Sequence, residues 1–156
     1  MTAAGTERAA LKGATVGEPD PALVRDVIER LARALDADDF EAAGALLADG
    51  CVYEAGDGAK HGPEAVRSAY AAASAWARRA FDDVRYESAV ENVIGPTGTV
   101  CFTDYVLKAG GRWHRHRCRQ EFTVDGNGRI ARIVHREIEG EREALDAYLR
   151  ECGISR

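Results

Sequence analysis

The feature that most constrains the fold is an alternation of side-chain character in the second half of the chain. The stretches that alternate with a period of two are residues 84–88, 99–108, 112–124 and 129–138. Successive side chains of a β-strand point to opposite faces, so each stretch predicts a strand. Glycine-containing turns separate these strands at residues 95–98, 110–111 and 125–128. Short turns of this kind join antiparallel neighbours, so the pattern predicts an antiparallel meander.

The first half follows a helical pattern instead. Asp20 and Pro21 supply an N-cap and a first helical residue, and apolar residues follow at helical spacing, which predicts a helix over 21–36. The same reasoning predicts further helices over 38–49, 62–79 and 141–150, and a short strand over 51–55. Helices that precede a meander indicate an α+β domain, with three N-terminal helices packed on the concave face of a curved sheet. Residues 20–152 are expected to form this single domain, and 1–19 a flexible leader.

Length, charge and cysteine spacing argue against several classes of protein. The chain has 156 residues and a net charge of −5, which suits one domain and argues against nucleic acid as a partner. No apolar run approaches the roughly 20 residues that span a membrane, and the first 20 residues lack the apolar region of a secretory signal. The 4 cysteines lie far apart in sequence, so free thiols in a cytoplasmic protein are expected.

The hairpin at 110–111 decides which side chains share a face of the sheet. If this glycine pair forms a two-residue turn, the numbers of paired residues sum to 221. Tyr105 then lies opposite His116, and Thr103 lies opposite Cys118. The opposite face carries most of the formal charges, so the face with the histidines is expected to be the one that the helices cover.

The turn within 125–128 leaves two registers open for the last hairpin. In one register His135 lies opposite Cys118 and His116 opposite Glu137, whereas in the other His135 lies opposite Gln120. Both registers place these side chains on the same face, because a shift of two residues preserves the alternation. An apolar cavity with a few convergent polar groups is typical of a small-molecule site.

These polar residues predict histidine-based acid–base catalysis. His116 or His135 would take a proton adjacent to a carbonyl, because a neutral imidazole titrates near neutral pH. Tyr105 would donate to the developing oxyanion, Glu137 would orient a histidine, and Gln120 would position the substrate. The predicted substrate-binding residues are Tyr53, Trp76, Thr103, Cys118, Phe122, Ile133 and His114. No dinucleotide- or phosphate-binding motif is present in the sequence, so no cofactor is expected.

Other interpretations of the histidines stay open. They would be structural if His116 and His135 bonded Tyr105 and Glu137 within the core. His114 and His116, together with His135 and Glu137, would also suit a metal site. A third alternative is a module that binds a hydrophobic ligand or a protein without catalysis.

The other face of the predicted sheet favours self-association. It carries an arginine-rich stripe interrupted by apolar residues, which predicts a homodimer formed through sheet-to-sheet contact. The apolar residues assigned to that face are Phe102, Val106, Trp113 and Val134.

Three stretches carry a family resemblance. They read LARALDADDFEAAGALLADGCVYEAGDG at 31–58, HGPEAVRSAY at 61–70 and FTVDGNGRIARIVHRE at 122–137. In these stretches and in the order of its elements, the chain resembles SnoaL-like polyketide cyclases and ketosteroid isomerases, which share a cone-shaped nuclear-transport-factor-like fold. The resemblance implies a cofactor-independent cyclase, isomerase or lyase acting on a hydrophobic, polyketide-like carbonyl compound, as in antibiotic biosynthesis.

The catalytic groups of the isomerases are not present at the matching positions. Leu31, Ala55 and Gln120 stand where ketosteroid isomerases carry a tyrosine and two aspartates. The acidic base of the SnoaL-like cyclases also has no inward-facing counterpart on the predicted strand that reads HRHRCRQEF. Either the same cone performs a different reaction, or the protein is not an enzyme.

Overall fold

The computed structural model describes residues 17–156, so residues 1–16 of the predicted leader lie outside the described residues. The helices are α1 (Pro21–Asp36), α2 (Phe40–Ala45), α3 (Pro63–Ala80) and α4 (Glu141–Cys152). The strands are β1 (Leu47–Ala55), β2 (Gly58–His61), β3 (Asp83–Ile94), β4 (Thr97–Leu107), β5 (His114–Val124) and β6 (Ile130–Glu137).

The strands form one curved sheet in the order β2-β1-β6-β5-β4-β3. Neighbours are antiparallel except β1 and β6, which are parallel. The predicted α+β class with helices on a curved sheet is therefore confirmed. The predicted helix over 38–49 is wrong beyond Ala45, where α2 ends, because β1 already begins at Leu47. The short strand β2 and the pairing of β1 with β6 were not predicted from the sequence. Four residues are too few to show an alternation, and β1 and β6 are too far apart in sequence for turn signals to pair them.

Helix α1 lies across the sheet and supplies much of the main core. The Asp20 carboxylate accepts a hydrogen bond from the backbone N–H of Ala22 at 2.8 Å, which caps the first turn as predicted. The apolar stripe of the helix is fully buried at Val24, Val27, Ile28 and Leu31. Burial of such a stripe provides most of the stability of a helix of this length.

Gly98 allows α1 to approach the sheet closely. It is a buried residue of β4, and a Cβ atom placed on it would lie 2.5 Å from Cδ1 of the fully buried Ile28. Gly98→Ala is therefore expected to destabilise the protein by about 1–3 kcal/mol through overpacking. Urea denaturation would measure this loss. The matched control is Gly50→Ala on β1, where a Cβ would meet nothing within 4 Å, and equal losses in both variants would contradict the explanation.

A second, smaller apolar cluster lies under α4. Its buried members are Phe81, Val84, Val106, Tyr148 and Leu149. Tyr148 links it to the hairpin between β4 and β5, because its hydroxyl donates to the backbone carbonyl of Arg112 at 2.6 Å. The main core under α1 and this cluster are distinct, and residues of both contribute to the walls of one cavity.

Candidate active site

The register between β4 and β5 differs by one residue from the predicted one. Asp104 lies opposite His116, and Phe102 lies opposite Cys118. The predicted pairing of Tyr105 with His116 is therefore wrong. The connection is longer than a two-residue turn, because β4 ends at residue 107 and β5 begins at residue 114. A shift of one residue moves every side chain of a strand to the other face.

This shift exchanges the residues that β4 contributes to the site. Phe102, Asp104 and Val106 line the cavity, although the sequence placed them on the outer face. Tyr105 lies on the outer face, where its hydroxyl donates to Glu87 at 2.9 Å. Thr103 shares that face, opposite Arg117.

The register between β5 and β6 is one of the two that the sequence left open. Gln120 lies opposite His135, and Cys118 lies opposite Glu137. The face of β5 that carries His116, Cys118 and Gln120 therefore points inward as predicted, and all three line the cavity.

The cavity has a volume of about 560 Å³, which is typical of small-molecule sites. Its apolar walls include Phe40 and residues of both clusters, namely Leu35, Trp76, Phe81, Phe102 and Val106. Its polar groups include Asp36, Asp104, Tyr70, Tyr86, His116 and Gln120. A largely apolar cavity with a few polar groups favours a hydrophobic ligand that carries some polar function.

Like Asp36 and Tyr86, Asp104 lines the cavity but was not predicted from the sequence as a site residue. Its carboxyl group is largely buried, and burial, with a further contribution from the charge of Asp36, raises its pKa to about 6. Within residues 17–156 no hydrogen bond or ion pair engages this carboxyl group. An inward-facing aspartate on an alternating strand is the signal that would have found it, had the register been known.

The raised pKa of Asp104 predicts a pH-dependent stability. The folded protein holds more protons than the unfolded chain between pH 3.8, the ordinary pKa, and about 6. The stabilisation that comes from binding this proton more tightly in the folded state is therefore complete below pH 3.8. It is lost as the pH rises through 6, so the free energy of unfolding falls over that range. The groups that face Asp104 are Asp36 from α1, Tyr86 from β3 and His116 from β5.

Asp104→Asn is accordingly expected to stabilise the protein by about 1–3 kcal/mol at pH 8. The variant removes a buried charge that has no partner among the described residues. Urea denaturation would show the gain at pH 8 and little difference at pH 4, where the native carboxyl is mostly protonated. Asp26→Asn on the exposed side of α1 makes the same charge change and serves as the control. A loss of stability in Asp104→Asn at pH 8 would contradict the prediction.

His116 lies across from Asp104 on β5. Its Nδ1 atom is buried and has no hydrogen-bond partner within residues 17–156. Burial lowers the pKa of the imidazole, although the carboxylate and backbone of Glu141 partly offset that effect. His116 is therefore mainly neutral at pH 7, and a neutral imidazole can accept or donate a proton.

Gln120 connects the cavity to the end of β6 through hydrogen bonds. The Tyr70 hydroxyl donates to its Oε1 at 2.6 Å, and its Nε2 donates to the Tyr53 hydroxyl at 3.3 Å. The same Nε2 lies 3.4 Å from Nδ1 of His135, whose Nε2 lies 3.4 Å from the Glu137 carboxylate. His135 and Glu137 thus sit behind Gln120 rather than on the cavity wall.

The other predicted binding residues lie in three places. Trp76 and Cys118 line the cavity, and burial raises the pKa of the Cys118 thiol to about 12. Phe122 and Ile133 are fully buried in the main core. His114 lies under α4, where its ring stacks on Tyr148 with centroids 4.8 Å apart.

One predicted alternative, a metal site, and one predicted exclusion, a membrane span, can be compared with the structure. Among residues 17–156, no group of three or more histidine, cysteine, aspartate or glutamate side chains is placed to hold a metal ion. Within the same residues no helix is both long and apolar enough to cross a membrane.

Comparison with known proteins places the chain in a family. The model of the SnoaL-like domain matches residues 28–133, a segment that includes Asp36, Asp104, His116 and Gln120. The chain belongs to the SnoaL-like domain family. The resemblance noted from the sequence is therefore confirmed. No curated protein matches this SnoaL-like chain.

Solved structures support the same fold for this SnoaL-like protein. A candidate polyketide cyclase from Sinorhizobium meliloti is 22% identical with a TM-score of 0.58, over 71% of this chain and 94% of that one. An epoxide hydrolase of the LEH-like type from M. tuberculosis is 22% identical with a TM-score of 0.55, over 85% and 99%. An NTF2-like protein of unknown function from Exiguobacterium sp. 255-15 is 16% identical with a TM-score of 0.55, over 72% and 98%. At these identities the likeness shows the fold alone.

Proposed function

We propose that this SnoaL-like protein is a cofactor-independent enzyme that moves a proton next to the carbonyl group of a small hydrophobic, polyketide-like compound. The observation that supports this most is Asp104, a carboxyl with a pKa raised to about 6 on the wall of a largely apolar cavity. A pKa near the working pH suits a general base, because the base is mostly ionised and still binds a proton strongly.

The chemistry requires only one proton carrier. The Asp104 carboxylate takes a proton from the carbon next to the carbonyl, and the electrons of the broken C–H bond form an enolate. The resulting carboxylic acid then returns the proton to another carbon in an isomerisation. In a cyclisation it gives the proton to the oxygen of the carbonyl that the enolate attacks, and in a dehydration to the departing hydroxyl. The carboxylate is regenerated in each case.

His116 is the proposed second acid–base group. Its buried Nδ1 atom has no partner within residues 17–156 and would accept a hydrogen bond from a hydroxyl or enol of the substrate. Gln120 would position the substrate, and His135 and Glu137 would act as positioning residues that hold the Gln120 amide. Trp76 and Phe102 would contact the hydrophobic body of the substrate.

Hydrogen–deuterium exchange tests this proposal without knowledge of the natural product. The purified protein is incubated in D₂O with 2-tetralone, 2-decalone or 2-acetylnaphthalene, and loss of the α-proton signal is followed by NMR. We expect at least one ketone to exchange about 100-fold or more faster than in buffer, the effect of a positioned base. Exchange at the buffer rate for all three would contradict the proposal and favour a module that only binds ligand.

Self-association through the outer face of the sheet stays a prediction. Fewer apolar residues support it than the sequence indicated. Phe102 and Val106 point into the cavity, because the register of β4 is shifted. Trp113 is 40% exposed and Val134 lies on the outer face of β6 opposite Glu121. Arg119 and Arg136 on that face are already paired with glutamates.

A further inference from the structure

Most hydrogen-bond donors on the cavity wall are already used within the protein. The Tyr70 hydroxyl donates to Gln120 at 2.6 Å, and the Ser74 hydroxyl donates to Asp38 at 2.8 Å. Because Ser74 has only one proton, the Tyr86 hydroxyl donates to Ser74 across their 3.0 Å contact. The Gln120 amide is directed at Tyr53 and His135, as described above.

Several hydrogen-bond acceptors of the cavity, by contrast, can still accept a hydrogen bond. The Nδ1 atom of His116 is buried and has no partner within residues 17–156. Burial and the charge of Asp36, with no hydrogen bond from residues 17–156, set the pKa of Asp104. Asp36 also lines the cavity and accepts a hydrogen bond from Ser88 at one oxygen, Oδ2, at 2.6 Å. Buried polar groups are almost always satisfied, so a bound ligand is expected to bring a donor to His116. The carboxylates of Asp36 and Asp104 can accept further hydrogen bonds from the same ligand.

The charges of the lining residues also favour a ligand that donates hydrogen bonds and carries positive charge. The third carboxylate, Asp38, is compensated by Arg78 at 2.6 Å. Arg156, a basic residue of the lining, is paired with Asp146 at 3.6 Å. Asp36 and Asp104 are close enough for the charge of Asp36 to raise the pKa of Asp104, and no ion pair within residues 17–156 compensates either of them.

The cavity also presents an aromatic surface of the kind that suits a cation. Six aromatic rings line it, namely Phe40, Tyr70, Trp76, Phe81, Tyr86 and Phe102. The faces of such rings attract ammonium groups, an effect that strengthens when the site excludes water. Guanidinium groups of the protein already lie over two of these rings, Arg78 over Tyr86 at 5.2 Å and Arg156 over Trp76 at 5.9 Å. The other four rings support a cationic ligand independently of the two carboxylates.

From these observations we propose that the ligand of this cavity is a hydrophobic amine in its protonated form, that Asp36 binds the ammonium group, and that hydrophobic carboxylates are rejected. The proposal deepens the proposed function, since it assigns a substrate class to the same cavity. Asp36 would anchor the amino group of an amino ketone and leave Asp104 free for the carbon next to the carbonyl. Asp36 is then a specificity-determining residue.

Three probes with the same aromatic body and different charge test the proposal. Isothermal titration calorimetry at pH 7.5 compares 2-naphthylmethylamine, 2-naphthalenemethanol and 2-naphthoate with the wild-type protein. We expect the amine to bind at least about tenfold more tightly than the alcohol, because a charge-assisted hydrogen bond is worth that much. The naphthoate is expected to bind more weakly than the alcohol. Naphthoate binding as tight as that of the amine would overturn the proposal.

Asp36→Asn should bring the affinity for the amine to within about threefold of that for the alcohol. Its affinity for the alcohol should stay at the wild-type value, which shows that the cavity is intact. Asp26→Asn makes the same charge change on the exposed side of α1 and should alter none of the three affinities. An unchanged preference for the amine in Asp36→Asn would overturn the role of Asp36, and the wild-type comparison remains decisive if that variant does not fold.

Failure of this inference can be told apart from failure of the proposed function. A preference for the amine without any hydrogen–deuterium exchange would support a cationic ligand and contradict the proposed catalysis. Rapid exchange of 2-tetralone without a preference for the amine would support the proposed catalysis and contradict a cationic ligand.

Discussion

Asp104→Asn is expected to slow the hydrogen–deuterium exchange of an active ketone by about 10²–10⁴-fold, the usual contribution of a general base. Asparagine has nearly the same shape and can still form hydrogen bonds, but it cannot take up the proton. The alcohol probe 2-naphthalenemethanol should bind with wild-type affinity, so the loss lies in the chemical step. Exchange rates measured by NMR at saturating ketone, together with calorimetry, separate the two effects.

The pH profile provides a second readout of the same residue. Since only ionised Asp104 acts as the base, wild-type kcat/KM should rise with pH up to about 6, the pKa of this carboxyl, and level off above it. Asp36→Asn removes a neighbouring charge that raises this pKa, so the inflection should move to lower pH. Asp26→Asn on the exposed side of α1, where Asp26 pairs with Arg30, makes the same charge change and should leave the profile unchanged. Wild-type exchange in Asp104→Asn would assign the proton transfer to another group.

The sequence was sufficient to predict the class of the fold and the face of one strand. The helical spacing and capping of Pro21–Asp36 and the alternation along His114–Val124 are local signals, and both predictions agree with the structure. His116 and Gln120 were therefore correctly placed on the inward face of the sheet from the sequence alone. Local signals were sufficient because β5 is central in the sheet and its inner face is covered.

The partners of that strand depended on turn geometry, which the sequence left ambiguous. The glycine pair at 110–111 permits a two-residue turn, but the strands stop at Leu107 and His114. The predicted register was wrong by one residue. For that reason Tyr105 was assigned to the site in place of Asp104. Side chains of a strand alternate with a period of two, so an error of one residue assigns every side chain of β4 to the wrong face.

The sequence also could not separate cavity walls from core. Phe122 was expected to contact substrate because it shares the inward face of β5 with His116. The structure shows Phe122 fully buried in the main core, in an edge-to-face contact with Phe102 at 6.2 Å between centroids. Both rings are apolar and inward-facing, so only the packing of α1 above them decides which ring borders empty space.

Phe122→Ala is therefore expected to destabilise the protein by about 3–5 kcal/mol, because it deletes a fully buried ring and leaves a cavity in the main core. Phe102→Ala should cost clearly less, since one side of that ring already faces the cavity and its removal enlarges an existing space. Urea denaturation of both variants measures the difference. Phe102→Ala should instead weaken binding of the naphthalene probes, which Phe102 is placed to contact. Equal losses of stability would mean that the cavity wall is packed as tightly as the core, and would argue against a preformed ligand site.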